Sequence, residues 1–183
     1  RLAEQFNFGY EPGFYYICRR HSENLTNSHG RQVSAEQKIV KSLGERKIEK
    51  IVFSSSYDYE EKMLRCAKIF YKIEYYKQAK KLFLDLYKRL EDSHIAFYLG
   101  NIAFQTNNYE EAIEYYKESV RLDGRLAEGY NNMGCSYLVL NNFSTAKECF
   151  EKALSIRSNY QDPVYNILSS IKQKIDYKFT VRE

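Results

Sequence analysis

The sequence predicts an all-α fold of the solenoid class, a stack of helix hairpins in which each hairpin copies the one before. Three observations carry this prediction. First, one pattern repeats in register at 34 residues: Gly100 recurs as Gly134, Ala112 as Ala146, Tyr116 as Phe150 and Leu122 as Ile156. The turn signal Asn107-Asn108-Tyr109 likewise returns as Asn141-Asn142-Phe143. Second, a weaker copy lies upstream, where Ala67 precedes Gly100, and Ala79 precedes Ala112, by 33 residues. Third, 18 Tyr and 11 Phe stand with only 2 Pro, which suits helices stacked through bulky side chains with few breakers.

Each copy reads as two antiparallel helices. The first helices are expected at about 61–73, 94–106 and 128–140, and the second at about 76–90, 109–122 and 143–156. Asn107-Asn108 and Asn141-Asn142 stop one helix and start the next, because Asn tolerates left-handed backbone and also caps. Gly100 and Ala112 are small because two helices cross closely there. Tyr116 and Phe150 fill the space between successive copies. The residue missing from the first period is expected to come out of the turn near Asp92.

The array is expected over 59–183, with repeats at about 60–92, 93–126 and 127–160. Pro163 sits in the first turn of a final helix, 163–177, that caps the last open core through Ile167, Leu168, Ile171 and Ile175. The tail 178–183 is expected to fray. Upstream, 1–58 is an irregular segment with a pre-repeat helix near 35–53. That helix opens on a Ser34/Gln37 capping box and is bent or split at Gly44. Before it, Tyr10, Phe14, Tyr15, Tyr16 and Ile17 suggest a strip that packs on another surface, including the groove of its own or a second copy. The Asn24-Leu25-Thr26 sequon matters only in a secreted protein.

Composition narrows the function classes. Lys plus Arg number 28 against 24 acids, and this mild net charge of +4 argues against nucleic acid as the principal partner. No apolar run approaches the ~20 residues of a membrane span, so no membrane insertion is expected. The four cysteines (Cys18, Cys66, Cys135, Cys149) show no CxxC and read as reduced thiols, which points to a cytoplasmic setting. Arg1 in place of Met suggests a trimmed chain. Cys18, His21 and His29 lack a fourth metal ligand, and no phosphate loop, nucleophile elbow or HExxH occurs. The expectation is therefore no enzyme, no metal and no cofactor.

The best-preserved copy reads Tyr130-x2-Met133-Gly134-x2-Tyr137, then Ala146-x3-Phe150. The preceding copy reads Ala96-x2-Leu99-Gly100-x2-Ala103, then Ala112-x3-Tyr116. This pattern resembles the tetratricopeptide repeat (TPR) family over about 60–177. The family's closing Pro is replaced by Glu91, Gly124 and Ser158. The resemblance implies a right-handed α-solenoid of about three TPR hairpins plus a capping helix, acting as a protein-binding adaptor or scaffold in a protein complex. It also implies a concave groove lined by the first helix of each repeat.

On that reading the candidate partner-binding residues are Arg65, Lys68 and Lys72 from the first repeat and Phe97, Tyr98, Asn101 and Gln105 from the second. Asn131, Asn132 and Cys135 follow from the third, and Asn166 from the final helix. Asn132 and Asn166 lie 34 apart, so they stack along the axis, and an amide that both donates and accepts suits capture of an extended peptide backbone. From 60 to 92 the chain carries nine basic residues against six acids, and from 93 to 126 three against five. An acidic peptide or helix is therefore expected to dock at the first repeat. Some members of the family clamp a terminal carboxylate. Here the two clamp Asn would be Asn101 and Asn132, while the clamp cations would fall on Phe97, Asp162 and Asn166, which disfavours that use. The alternative reading is a helical-repeat RNA-binding module, with Tyr71 and Tyr98 as stacking platforms beside Arg65, Lys68 and Lys72.

Overall fold

The computed structural model describes residues 37–173 and 175–181. The chain forms two compact units, Arg1–Ile39 and Val40–Glu183. Within the first, residues 37–39 are helical. The aromatic strip, the sequon, Ser34 and the Cys18/His21/His29 set all lie outside the described residues.

In the second unit every regular element among the described residues is a helix. They run α1 Glu45–Phe53, α2 Tyr59–Lys72, α3 Tyr76–Leu90, α4 Ser93–Gln105, α5 Tyr109–Leu122, α6 Ala127–Val139, α7 Phe143–Ile156 and α8 Gln161–Ile171. Gly44 breaks the backbone before α1 with φ 74°, in the left-handed region that favours glycine. Helices α2/α3, α4/α5 and α6/α7 form three successive hairpins, and each helix packs on its sequence neighbours. Contacts also join α4 to α6 and α6 to α8, so the first helices of successive hairpins stand side by side.

The turn inside each hairpin uses one geometry three times. Glu74, Asn107 and Asn141 hold φ of 65°, 61° and 60°. The amide after each reaches back to a carbonyl of the preceding helix: Tyr75 to Phe70, Asn108 to Ala103 and Asn142 to Tyr137, at 2.8–2.9 Å. This six-residue closure satisfies carbonyls that the helix end would otherwise orphan. The two Asn of each signal divide the work, since the first takes the left-handed backbone and Asn142 then caps α7 by accepting from Thr145 N. Asn108 does not cap in this way; its Nδ2 donates to Thr106 Oγ1 at 3.1 Å.

Between hairpins the closing Pro is replaced by local polar chemistry. Glu91 ends α3 in left-handed conformation and Asp92 Oδ1 caps α4 at His94 N and Ile95 N. That link, Glu91-Asp92, is shorter than those after α5 and α7. Arg157, after α7, instead pairs with Glu128 Oε1 at 2.8 Å.

Inside the second and third hairpins a ring lies on a glycine, where the first carries Ala67. A Cβ built on Gly100 would stand 2.5 Å from the Tyr116 ring, and one on Gly134 2.5 Å from the Phe150 ring. Ala79, Ala112 and Ala146 are fully buried beside these crossings.

The final helix departs from expectation. It stops at Ile171, with Gln173 in left-handed backbone, rather than continuing to Tyr177. Its buried side is Pro163, Asn166, Ser169 and Ser170, with Ile167 partly buried, while Leu168 and Ile171 are exposed. Two stripes compete on this helix, and the one carrying Asn166 faces the array.

Gly134→Ala is expected to destabilise the protein by ~1–3 kcal/mol, because the fully buried Phe150 ring has nowhere to move. Gly124→Ala, whose Cβ meets nothing closer than 3.8 Å, is expected to be neutral or stabilising by up to ~1 kcal/mol. Thermal or urea unfolding of the two variants checks the contrast.

Candidate functional site

Helices α4, α6 and α8 bring together Asn101, Asn131, Asn132 and Asn166, all with no exposed surface. Four buried amides are costly unless each finds partners. They find many of them in one another. The hydroxyl of Tyr116, whose ring lies on Gly100, donates to Asn101 Oδ1 at 2.8 Å. Asn132 Nδ2 donates to the same oxygen at 2.9 Å, and Asn166 Nδ2 donates to Asn131 Oδ1 at 2.9 Å. Asn101 Nδ2 alone among the described buried side-chain polar atoms has no acceptor in reach.

The remaining partners come from the stretch after α8. Residues 175–181 have no regular secondary structure, and Tyr177–Thr180 lies along these asparagines. Lys178 N donates to Asn166 Oδ1 at 2.6 Å, while Asn166 Nδ2 donates to Lys178 O at 2.9 Å. Two residues on the pattern recurs: Thr180 N donates to Asn132 Oδ1 at 2.9 Å and Asn132 Nδ2 donates to Thr180 O at 2.7 Å. Asn131 Nδ2 adds bonds to Lys178 O at 3.0 Å and Thr180 Oγ1 at 3.2 Å. The asparagines thus offer the main chain what a neighbouring β-strand would, one donor and one acceptor at every second residue.

Side chains complete the seat. Phe179 stacks on Phe104 at 4.4 Å between centroids, and Tyr177 meets the same ring edge-on at 5.6 Å. Thr180 Oγ1 donates to Asp162 Oδ2 at 3.0 Å and also bonds the Tyr160 hydroxyl. Burial holds the Tyr160 phenol above its usual range, so it stays a donor. The Cys135 thiol, raised chiefly by burial, stays protonated and points to Lys178 O at 3.6 Å. The expectation that 178–183 frays is therefore corrected for Lys178 and Thr180: buried amides whose remaining donors and acceptors need partners hold them.

A family profile described as Tetratricopeptide repeat matches residues 127–160, and a second profile of the same description matches 94–126. Residues 94–160 are two tetratricopeptide repeats. No curated protein sequence matches it. Among solved structures, a crystal structure of the MamA protein superposes with a TM-score of 0.62 at 17% identity, covering 79% of this chain and 83% of that one. The first TPR of Spaghetti (RPAP3), bound to the HSP90 peptide SRMEEVD, gives a TM-score of 0.60 at 13% identity, covering 62% and 90%. The TPR2B domain of yeast Sti1, in a pHsp70 complex, gives 0.60 at 14%, covering 63% and 98%. These likenesses establish the fold.

The TPR groove distributes the sequence-predicted residues unevenly. Asn131, Asn132, Cys135 and Asn166 touch the held segment, and Asn101 supports Asn132 from behind. Phe97 is corrected to the core, where it packs against Tyr98 and Tyr116 with no exposure. Tyr98 is likewise core, stacked on Phe83 at 5.0 Å and edge-on to Tyr71 at 5.4 Å. Both rings of the proposed RNA platform, Tyr71 and Tyr98, are thus buried rather than open to bases. Arg65, Lys68, Lys72 and Gln105 are exposed. Arg65 pairs with Glu61 at 2.6 Å and covers the Tyr57 ring, and Lys68 Nζ lies 5.7 Å from the centre of Tyr98. Phe104, Tyr160 and the segment itself were not singled out from sequence, and Asp162 entered only as a place where a clamp cation is missing. Phe104 stands one turn beyond Asn101 on α4, which could have flagged it.

Amide hydrogen exchange is expected to alternate along the segment, with Lys178 and Thr180 slower than Tyr177 and Phe179 by tenfold or more. Residue-resolved exchange by NMR measures it; uniform fast exchange would contradict the ladder.

Proposed function

We propose that this TPR array is a non-enzymatic interaction module that holds an extended peptide of a partner protein along its concave face, as an adaptor or scaffold in a larger complex. The observation that carries the reading is the paired bonding of Asn166 and Asn132 to the main chain of Lys178 and Thr180. A ladder directed at backbone serves any extended peptide that reaches it. The peptide-bound TPR domain of RPAP3, which shares the fold, supports a peptide as the ligand class.

Charge gives the bound peptide a direction. The held segment runs from α8, at Asn166, to α6, at Asn132, beside Asn101 of α4. A partner laid the same way continues toward α2, where Arg65, Lys68 and Lys72 are exposed. An acidic stretch following the ladder-bound residues suits that end. The Asp162 carboxylate at the Thr180 position argues against a terminal carboxylate there.

Asn132→Ala/Asn166→Ala removes four main-chain bonds, worth ~0.5–1.5 kcal/mol each. Quantitative recovery of partners from native extract on the immobilised full chain is expected to fall at least tenfold, with the circular dichroism of the protein unchanged. Lys68→Glu/Lys72→Glu is expected to reduce recovery of partners with acidic segments selectively. Unchanged recovery with the asparagine variant would overturn the reading.

A further inference from the structure

The resident segment shows more than that a peptide fits. It shows which side chains the groove reads. Because the ladder holds the main chain at Lys178 and Thr180, the residues between and before them, Phe179 and Tyr177, carry their rings to Phe104. Rings two positions apart on an extended chain fall on one side of it. Phe104 also meets Tyr109 edge-on at 5.3 Å, so the rings complete an aromatic cluster that is otherwise half built. Lys178 is exposed, its Nζ over the Tyr165 ring at 5.3 Å, and nothing encloses its side chain. That position is open to substitution.

Thr180 is read differently. Its Oγ1 accepts from Asn131 Nδ2, bonds Tyr160 and donates to Asp162. Only a group that both donates and accepts satisfies all three. A valine would strand two donors and a carboxylate together, and sites of that kind discriminate strongly against the analogue lacking the hydroxyl. Three positions are specified by chemistry and one is free.

We propose that the groove selects an extended peptide of the form aromatic–any–aromatic–Thr or Ser, and that Tyr177–Thr180 is a resident copy of this ligand which a partner bearing the same pattern displaces. This rests on the reading of the groove as a peptide site. Displacement follows from the tether. A short link raises the effective concentration of the resident copy to the order of millimolar. A free peptide with intrinsic Kd on the order of 100 μM therefore meets a groove that is open about a tenth of the time, and its apparent affinity falls about tenfold.

The probe is a fluorescent synthetic peptide copying residues 175–181, titrated by anisotropy against the full chain and against Tyr177→Ala/Phe179→Ala, whose resident copy is weakened. Tighter binding to the variant, by tenfold or more, is expected. Probe peptides with alanine at both aromatic positions, or valine for threonine, are expected to bind the opened chain at least tenfold more weakly, while alanine at the lysine position changes affinity less than threefold. Lys178→Pro, which deletes the amide accepted by Asn166 and leaves the groove walls intact, is a second opened form should the first fold poorly. If all probe peptides bind the opened chain alike, the groove reads backbone only; the pattern is then overturned and the peptide-binding function stands. If intact and opened chains bind the probe equally, the resident copy does not compete and the proposal fails. If no peptide binds either form, both readings fail together.

Discussion

The contact between the Tyr116 ring and Gly100 is the constraint on which the binding face depends. Glycine lets the second helix of the hairpin approach until the ring lies on its backbone, where a Cβ would stand only 2.5 Å away. At that depth the phenol oxygen reaches Asn101. The packing that closes the core thus also fixes the first amide of the groove. In the next hairpin Phe150 makes the same ring–glycine contact without a hydroxyl. There Asn131 and Asn132 are fixed from the side instead, by Asn166 of α8 and Asn101 of α4. The repeat supplies one geometry twice, and one oxygen atom decides how each copy is wired.

The network converts burial into directionality. An asparagine on an open surface presents its amide to water in any rotamer, whereas these four sit fully buried and restrain one another. Asn166 and Asn132 each show the segment a donor and an acceptor at the spacing of an extended backbone, and Asn131 adds a donor. Thr180 adds a polar pocket between Tyr160 and Asp162, and Phe104 adds an apolar one. Backbone capture and side-chain reading therefore come from different elements, the asparagines from helix interiors and the pockets from helix ends and the α7–α8 link.

Much of this was legible in sequence because periodicity exposes whatever recurs. The hairpins, the left-handed Asn107 and Asn141, and the small residues at the crossings all sit at repeated positions, and Asn132 and Asn166 were flagged by their 34-residue spacing. What recurs only once was harder. Phe97 and Tyr98 lie four and three residues before Asn101, on the same side of α4, yet every residue from Ile95 to Phe104 is buried, so a shared helix face did not mean shared access to the groove. On α8 an apolar stripe, Leu168 and Ile171, competed with a polar one, and the polar stripe faces the array because Asn166 finds partners there. The segment Tyr177–Thr180 has no period to betray it. Its alternation of ring, Lys, ring and Thr becomes meaningful only beside the asparagines that hold it.

Solenoids usually loosen from their last repeat, since each hairpin touches only its neighbours and an end hairpin has one neighbour fewer. The strand-like stretch over the asparagines changes that arithmetic. It bonds Asn166 on α8 and Asn132 on α6 and stacks on Phe104 of α4. Pulling α8 away from the array therefore means breaking a seam that reaches back two hairpins. Mechanically the stretch acts as a stitch across the grain of the stack, giving a quasi-one-dimensional array a second, lengthwise line of cooperativity.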